Sequence, residues 1–274
     1  MLKLYNKESK DCNTNIHFLH GNSMTPDSYK NLLTELSQKN IVKTSLLRPL
    51  WDHSQPPTFK NWDIFLNDYI DSIKNENKII GIGHSIGGNL LLKSALIKPE
   101  KFEKIILLDP TFFTPFKIKI WKILARFNLQ SKFLPLINSA ENKKMQYPSI
   151  DEMYKSYRRY KIFHNFSDQD LHILVKSLIK NEYNKVKLLF DNKWDAQIYR
   201  TGLINDMFIW RNIKKLKVKT LIIRAEFSDV FLNKTSNLVK KNNKQIDILT
   251  LKKSDHLFPI NNYKETFKII NSFI

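Results

Sequence analysis

The chain alternates short apolar runs with longer amphipathic stretches. The runs are rich in Ile, Leu and Val, and several are apolar at consecutive positions, as buried parallel strands are. They predict strands at 2–5, 16–19, 43–47, 79–82, 105–108, 220–224 and 246–251. The amphipathic stretches predict helices at 26–38, 61–74, 85–98, 233–241 and 262–273. This alternation indicates an α/β fold with an open, doubly wound, mostly parallel sheet.

One long interval interrupts the alternation. Between Asp109 and Lys219 the pattern predicts no convincing strand, and apolar and aromatic residues recur at helical spacing instead. One such row is Ile150, Met153, Tyr154, Tyr157 and Tyr160. We interpret residues 111–214 as a helical cap, or lid, inserted into a core made of residues 1–110 and 215–274. The aromatic row is interpreted as packing within the cap, with a part in the substrate wall as the alternative.

Composition limits the cellular setting. The 274 residues are enough for one large core, and no apolar run approaches the roughly 18 residues that span a bilayer. Residues 1–8 lack the apolar stretch of a secretory signal. The single cysteine, Cys12, excludes an internal disulfide and lies in a polar segment that does not suggest a nucleophile. We therefore expect a cytoplasmic protein.

The net charge of +19 comes mostly from lysines that are spread along the chain. Abundant Lys, Asn and Ile together are typical of AT-rich codons, so we interpret the lysines as solvated surface and expect no nucleic-acid partner. Residues 116–127 differ, because basic and apolar residues are interleaved there. We interpret them as a lid helix with a lysine-covered outer face; peripheral contact with an anionic membrane is the alternative. The sequence makes no prediction of oligomeric state.

The glycines mark the first candidate for chemistry. The chain has six, and four of them lie within residues 81–88. There the pentapeptide Gly83-His84-Ser85-Ile86-Gly87 joins the predicted strand 79–82 to the predicted helix 85–98. A serine at a sharp strand-to-helix turn takes a strained backbone, and the residues two before and two after it must be small. This pattern predicts that Ser85 is a nucleophile.

A serine hydroxyl needs a base, and the base needs an orienting carboxylate. His256 follows the last predicted strand, in Ser254-Asp255-His256, and Asp229 follows the strand 220–224. We predict His256 as the base and Asp229 as the acid. Glu226 is an alternative acid, and Asp109 is another, although Leu108-Asp109-Pro110 is also a common structural turn.

A further element follows the predicted strand 16–19. His20-Gly21-Asn22 begins the next loop, where backbone N–H groups can point at a developing oxyanion. We predict Asn22 and Ile86 as the two donors and interpret His20 as a residue that holds this loop. His84 is interpreted as a packing or pocket residue. No zinc spacing, phosphate-binding loop or dinucleotide fingerprint is present, so we expect no metal and no cofactor.

Together these motifs resemble the α/β-hydrolase superfamily. The resemblance covers nearly the whole chain and rests on the loop at His20-Gly21, the elbow at Ser85, the turns at Asp229 and His256, and the inserted lid. It implies a Ser-His-Asp hydrolase of carboxylesterase type, with Ser85, His256 and Asp229 as catalytic residues and Asn22 and Ile86 as oxyanion donors. A serine nucleophile disfavours the haloalkane dehalogenase and epoxide hydrolase branches, and the lack of further glycines after Gly21 weakens a lipase assignment.

The function we expect is cleavage of a carboxylic ester or thioester of a small to medium acyl substrate through an acyl-enzyme. The same residues also serve acyl transfer and the hydrolysis of amides or carbon–carbon bonds. A ligand-binding member of the fold without catalysis is the alternative from another class.

Overall fold

The computed structural model describes residues 2–4, 14–202, 204 and 206–274, so Tyr5 and Cys12 lie outside the described residues. The strands are β1 (Leu2–Leu4), β2 (Asn15–Leu19), β3 (Ile41–Ser45), β4 (Ile79–His84), β5 (Phe102–Leu108), β6 (Gln146–Tyr147), β7 (Ile179–Glu182), β8 (Lys185–Leu188), β9 (Lys219–Ala225) and β10 (Asp247–Leu251).

The helices alternate with these strands in the first and last parts of the chain. They are α1 (Lys30–Ser37), α2 (Asp63–Ser72), α3 (Ile86–Ile97), α4 (Pro115–Arg126), α5 (Gln130–Phe133), α6 (Pro135–Glu141), α7 (Ile150–Arg158), α8 (Asp168–Ser177), α9 (Asn192–Thr201), α10 (Met207–Asn212), α11 (Asn233–Asn242), α12 (Phe258–Asn261) and α13 (Tyr263–Phe273). Among the described residues, no helix has the length and apolar character needed to cross a membrane.

The main sheet confirms the predicted fold class. Its seven strands lie in the order β1-β3-β2-β4-β5-β9-β10, and all pairs are parallel except β1 with β3. The predicted strands and helices all correspond to observed elements, with ends that differ by a few residues. Because the carboxyl ends of parallel strands meet at one edge, the loops after β2, β4, β5, β9 and β10 come together there.

Both faces of this sheet are covered. In β5, Ile106 and Leu108 belong to the apolar cluster on the side of α1 and α13, whereas Ile105 and Leu107 belong to the cluster on the side of α2 and α3. All four side chains are fully buried. This is why the strand is apolar at consecutive positions.

Residues 111–214, which lie between β5 and β9 and are called the inserted segment below, are not purely helical. Strands β6, β8 and β7 form a small antiparallel sheet in which Val186 of β8 pairs with Tyr147 and Asn181. The expectation of a segment without strands is therefore wrong. Helix α9 begins only at Asn192, because the residues before it continue a β-hairpin whose turn residue, Tyr183, has φ = 52°.

Candidate active site

Ser85 lies between β4 and α3 in a backbone conformation with positive φ, at φ = 58° and ψ = −120°. This is unfavourable for a residue with a Cβ atom. The flanking glycines permit the turn: a Cβ on Gly83 would lie 2.5 Å from the carbonyl oxygen of Gly87, and one on Gly87 would collide with the carbonyl oxygen of Leu19. The need for small residues around Ser85, expected from the pentapeptide, thus has a direct steric cause.

The Ser85 hydroxyl forms a hydrogen bond with His256, the histidine predicted to be the base. Ser85 Oγ lies 3.0 Å from His256 Nε2. The other ring nitrogen of His256, Nδ1, lies 2.7 Å from Oδ2 of Asp109. An ionised carboxylate only accepts hydrogen bonds, so Nδ1 carries the proton and Nε2 is free to accept the proton of Ser85. The geometry forms an uninterrupted relay of serine, histidine and aspartate.

The choice of Asp229 as the acid is corrected by this geometry, because Asp109 holds His256. Asp109 follows β5 with φ = 40°, and its side chain is fully buried. Its carboxylate also accepts hydrogen bonds from the Ala225 N–H at 3.0 Å and the Ser228 hydroxyl at 2.8 Å. These donors fix the direction of the carboxylate. The Leu108-Asp109-Pro110 turn is therefore a structural turn that also presents a carboxylate.

Asp229 lies near His256, but the carboxylate that contacts His256 Nδ1 is that of Asp109. It lines the cavity described below and acts on His256 through its charge. Burial of the imidazole opposes its protonation, but the hydrogen bond and charge of Asp109, with the charges of Asp229 and Asp255, outweigh burial and raise the pKa of His256 above its usual value. Glu226, the other alternative acid, instead accepts hydrogen bonds from Lys252 and the Lys253 N–H.

Asn22 and Ile86, the two expected oxyanion donors, both line the cavity beside Ser85. Ile86 is the first residue of α3, and the first N–H groups of a helix have no partner within it. Asn22 belongs to the loop 20–23, which His20 holds by donating from Nδ1 to the Gly21 carbonyl at 2.8 Å and accepting the Leu47 N–H at Nε2 at 3.0 Å. Burial lowers the pKa of His20 to about 4, which keeps it neutral in this role.

His84 joins the same loop to the loop of His256. Its Nε2 donates to the backbone carbonyl of His256 at 2.9 Å, so Nδ1 accepts from the Tyr29 hydroxyl at 2.7 Å. Tyr29 in turn accepts the Gly21 N–H at 2.9 Å. Burial and the nearby His256 lower the pKa of His84 well below its usual value, so it remains a neutral connector. His84 is thus a packing residue that also ties two functional loops together.

The inserted segment braces the loop 20–23 from the other side. Asp195 of α9 accepts hydrogen bonds from Asn22 Nδ2 at 2.6 Å and from the Ser23 hydroxyl. Lys143 forms an ion pair with the same carboxylate and donates to Ser23 Oγ at 3.0 Å. The Asp195 side chain is almost fully buried, so its oxygens depend on these partners for their hydrogen bonds. Nothing in the sequence pattern singled out Asp195 or Lys143, because their partners lie far away along the chain.

A second hydrogen-bond network, which the sequence analysis also did not predict, links Ser85 to Asn89 of α3. Thr111 Oγ1 lies 3.1 Å from Ser85 Oγ. Asn89 donates to the Thr111 carbonyl at 2.7 Å and to Asp206 Oδ1 at 2.8 Å. Burial raises the pKa of Asp206 to about 6, although Lys93 lies 3.5 Å away. These contacts fix the start of α3 against the inserted segment.

Ser85 opens into a cavity of about 960 Å³, near the upper end of the range for ligand pockets. One wall comes from the loops of the main sheet, with Asn22, Ile86 and Leu257. The opposite wall comes from the inserted segment and is mostly apolar and aromatic, with Trp121, Leu124, Tyr157, Phe163, Phe190 and Ile198. Tyr157 is at once part of an apolar cluster and of the cavity wall, so the aromatic row serves both of the roles considered for it.

The described part of the chain contains no group of three or more His, Cys, Asp and Glu side chains arranged to hold a metal ion.

Solved structures with the same architecture are numerous, although the sequence matches no protein-family model and no curated protein. The structure of E-2-(acetamidomethylene)succinate hydrolase superimposes with a TM-score of 0.77 at 17% identity, covering 95% of this chain and 91% of that one. A peroxisomal α/β-hydrolase of Saccharomyces cerevisiae gives 0.76 at 18% identity, covering 99% and 79%. An esterase of M. tuberculosis gives 0.72 at 13% identity, covering 99% and 91%. The chain therefore has the α/β-hydrolase fold, as its motifs indicated.

Proposed function

We propose that the protein is a serine hydrolase that cleaves a carboxylic ester or thioester through an acyl-enzyme. The observation that carries the proposal is the relay from Asp109 through His256 to a strained Ser85 at the floor of a large apolar cavity. The similar structures of a succinate-derivative hydrolase, an esterase and a thioesterase domain agree with this chemistry without assigning a substrate.

In the first half of the reaction Ser85 Oγ attacks the acyl carbon and its proton passes to His256 Nε2. Asp109 keeps His256 in the tautomer that accepts this proton and stabilises the imidazolium that forms. The N–H groups of Asn22 and Ile86 bind the oxyanion, and each such donor contributes about 3 kcal/mol to the transition state in comparable sites. His256 then gives the proton to the departing alcohol or thiol, and the acyl group remains on Ser85.

In the second half His256 takes a proton from water, whose oxygen attacks the acyl carbon. The second tetrahedral intermediate collapses, Ser85 Oγ regains the proton from His256, and the carboxylic acid leaves. The apolar wall of Trp121, Leu124 and Phe163 favours an acyl group of medium length with little polarity.

The test is labelling with a fluorophosphonate, which reacts only with an activated serine, followed by hydrolysis of p-nitrophenyl esters of graded chain length. We expect the wild type to be labelled and Ser85→Ala, with an unchanged circular dichroism spectrum, to be neither labelled nor active. Thr111→Val is a matched variant that removes a hydroxyl next to Ser85 and should still be labelled. Absence of labelling in the folded wild type, or labelling that persists in Ser85→Ala, would overturn the proposal.

A further inference from the structure

Helix α4 presents apolar side chains on two sides. Ile118 and Trp121 are buried against the rest of the protein. A second set recurs at positions i, i+4, i+7 and i+11, which places it in one row along the helix. The set consists of Phe116, Ile120, Ile123 and Phe127, whose exposed fractions are 72, 41, 59 and 64%. The outer face of α4 is therefore an apolar row, and the expectation of a lysine-covered outer face is incomplete.

The apolar row continues to the opening of the cavity. Phe133 and Leu136, in the two helices that follow α4, are 65% and 47% exposed, and Tyr160 and Ile162 are similarly exposed. All four of these residues, and Ile120 of the row, also line the cavity at Ser85. Side chains that both line a cavity and face solvent lie at its mouth. We call this surface, from Phe116 to Leu136 with Tyr160 and Ile162, the mouth surface.

The charge around the mouth surface has one sign. Between Asp109 and Glu141 the chain has no acidic residue, and its five basic residues there are all exposed: Lys117, Lys119, Lys122, Arg126 and Lys132. Lysine and arginine beside a row of large apolar side chains are typical of helices that lie in the plane of a membrane interface. The basic side chains would meet lipid phosphates while the apolar row enters the acyl region.

We propose that the mouth surface docks on an anionic lipid bilayer and turns the cavity opening towards it. The occupant is a lipid surface rather than a second copy of this chain, because a second copy also carries a net charge of +19 and its α4 would bring like charges together. The docking goes beyond the proposed hydrolase chemistry and requires only the side chains of the mouth surface.

The first test is co-sedimentation with vesicles of phosphatidylcholine alone and with 30% phosphatidylglycerol. We expect binding to the anionic vesicles at low salt and its loss at 0.5 M salt, where charges are screened over a few ångströms. The variant Phe116→Ser, Ile123→Ser, Phe127→Ser should bind at least tenfold more weakly. None of these three residues lines the cavity, so hydrolysis of a water-soluble ester should not change and reports correct folding.

Two control variants separate this surface from general properties of the protein. Tyr183→Ser removes a fully exposed aromatic side chain from the hairpin of the inserted segment and should leave binding unchanged. Lys119→Glu, Lys122→Glu should weaken binding at least about 25-fold, because the loss of each lysine near the lipid surface costs about fivefold and the new carboxylates are repelled by the anionic lipid. Lys234→Glu, Lys241→Glu on α11 makes the same change in net charge and should weaken binding less than threefold.

Ser85→Ala should bind vesicles as the wild type does, so a failure of the hydrolase proposal and a failure of docking give different results. The docking proposal is overturned if the folded wild type ignores anionic vesicles at low salt, or if the Phe116, Ile123, Phe127 variant binds as well as the wild type. It is also overturned if analytical ultracentrifugation shows a wild-type dimer that this variant loses, since the apolar row would then be covered by a second copy.

Discussion

The carboxylate of Asp195 accepts a hydrogen bond from Asn22 Nδ2 at 2.6 Å, which joins helix α9 of the inserted segment to the loop 20–23. The proposed oxyanion donor at Asn22 is therefore positioned by a residue that lies 173 positions away along the chain. Lys143 completes the contact by pairing with the same carboxylate. The inserted segment thus helps to set the geometry of the site as well as to enclose it.

Asp195→Asn keeps the size of the side chain but removes the charge that holds Asn22, Ser23 and Lys143. We expect kcat to fall about 10- to 100-fold, because small displacements of catalytic groups have effects of this size. KM should change less than threefold, since Asp195 acts through Asn22 and not on the acyl group. Steady-state kinetics with a p-nitrophenyl ester measures both parameters.

Asp191→Asn is the matched control. Asp191 accepts hydrogen bonds from the N–H groups of Lys193 and Trp194 at the start of α9, and asparagine caps a helix about as well as aspartate, so the variant should leave the free energy of unfolding nearly unchanged. It should leave kcat within twofold of the wild type. A large rise in KM with unchanged kcat in Asp195→Asn would show instead that Asp195 binds substrate.

Asp109→Asn tests whether Asp109, whose carboxylate lies 2.7 Å from His256 Nδ1, is the functional acid. The amide can donate to Nδ1 and so stabilise the wrong tautomer of the imidazole, and we expect kcat/KM to fall about 10⁴-fold. Asp229→Asn, which removes a carboxylate without a hydrogen bond to His256, should cost less than about tenfold. The reverse order of the two effects would show that Asp229 is the functional acid.

The sequence was sufficient to predict the sheet and the helices around it, and to predict that Ser85 and His256 follow the strands β4 and β10. These predictions succeed because they rest on local requirements: apolar periodicity, and glycines that a sharp turn needs. The sequence did not distinguish Asp109 from Asp229, because both follow a strand. The structure does, because Asp109 Oδ2 lies 2.7 Å from His256 Nδ1 and the Ala225 N–H and the Ser228 hydroxyl hold the Asp109 carboxylate there.

The inserted segment was predicted less well for a related reason. In β8 the alternation of Lys185 and Lys187 with Val186 and Leu188 is a strand pattern, but it is short. Its turn has Tyr183 at positive φ where glycine or asparagine would be the usual signal. The contacts of Asp195 with Asn22 and Lys143 join segments that are far apart along the chain, so no periodic pattern in the sequence predicts them.

Gly83→Ala tests the steric basis of the elbow. The new Cβ would lie 2.5 Å from the Gly87 carbonyl oxygen, which is backbone and has no free path to move. We expect the free energy of unfolding to fall by about 3 kcal/mol or more, measured by urea denaturation. Gly81→Ala, in the same strand, meets side-chain atoms of Leu91, the nearest at 2.5 Å, rather than backbone, so its effect should be smaller. Equal losses would mean that the elbow does not require glycine for this reason.

The pH dependence of kcat/KM tests the environment of His256. The imidazole accepts a proton only when neutral, and its pKa is raised because Asp109, Asp229 and Asp255 outweigh burial. Activity should therefore rise with pH through a midpoint above 6.5, the usual histidine value. Asp229→Asn removes one of the charges that raise this pKa, so its midpoint should move to lower pH with little change in the plateau. Glu226→Gln removes an equal charge that is paired with Lys252 and should leave the midpoint in place. A midpoint that Asp229→Asn does not move would show that the charge of Asp229 does not reach His256.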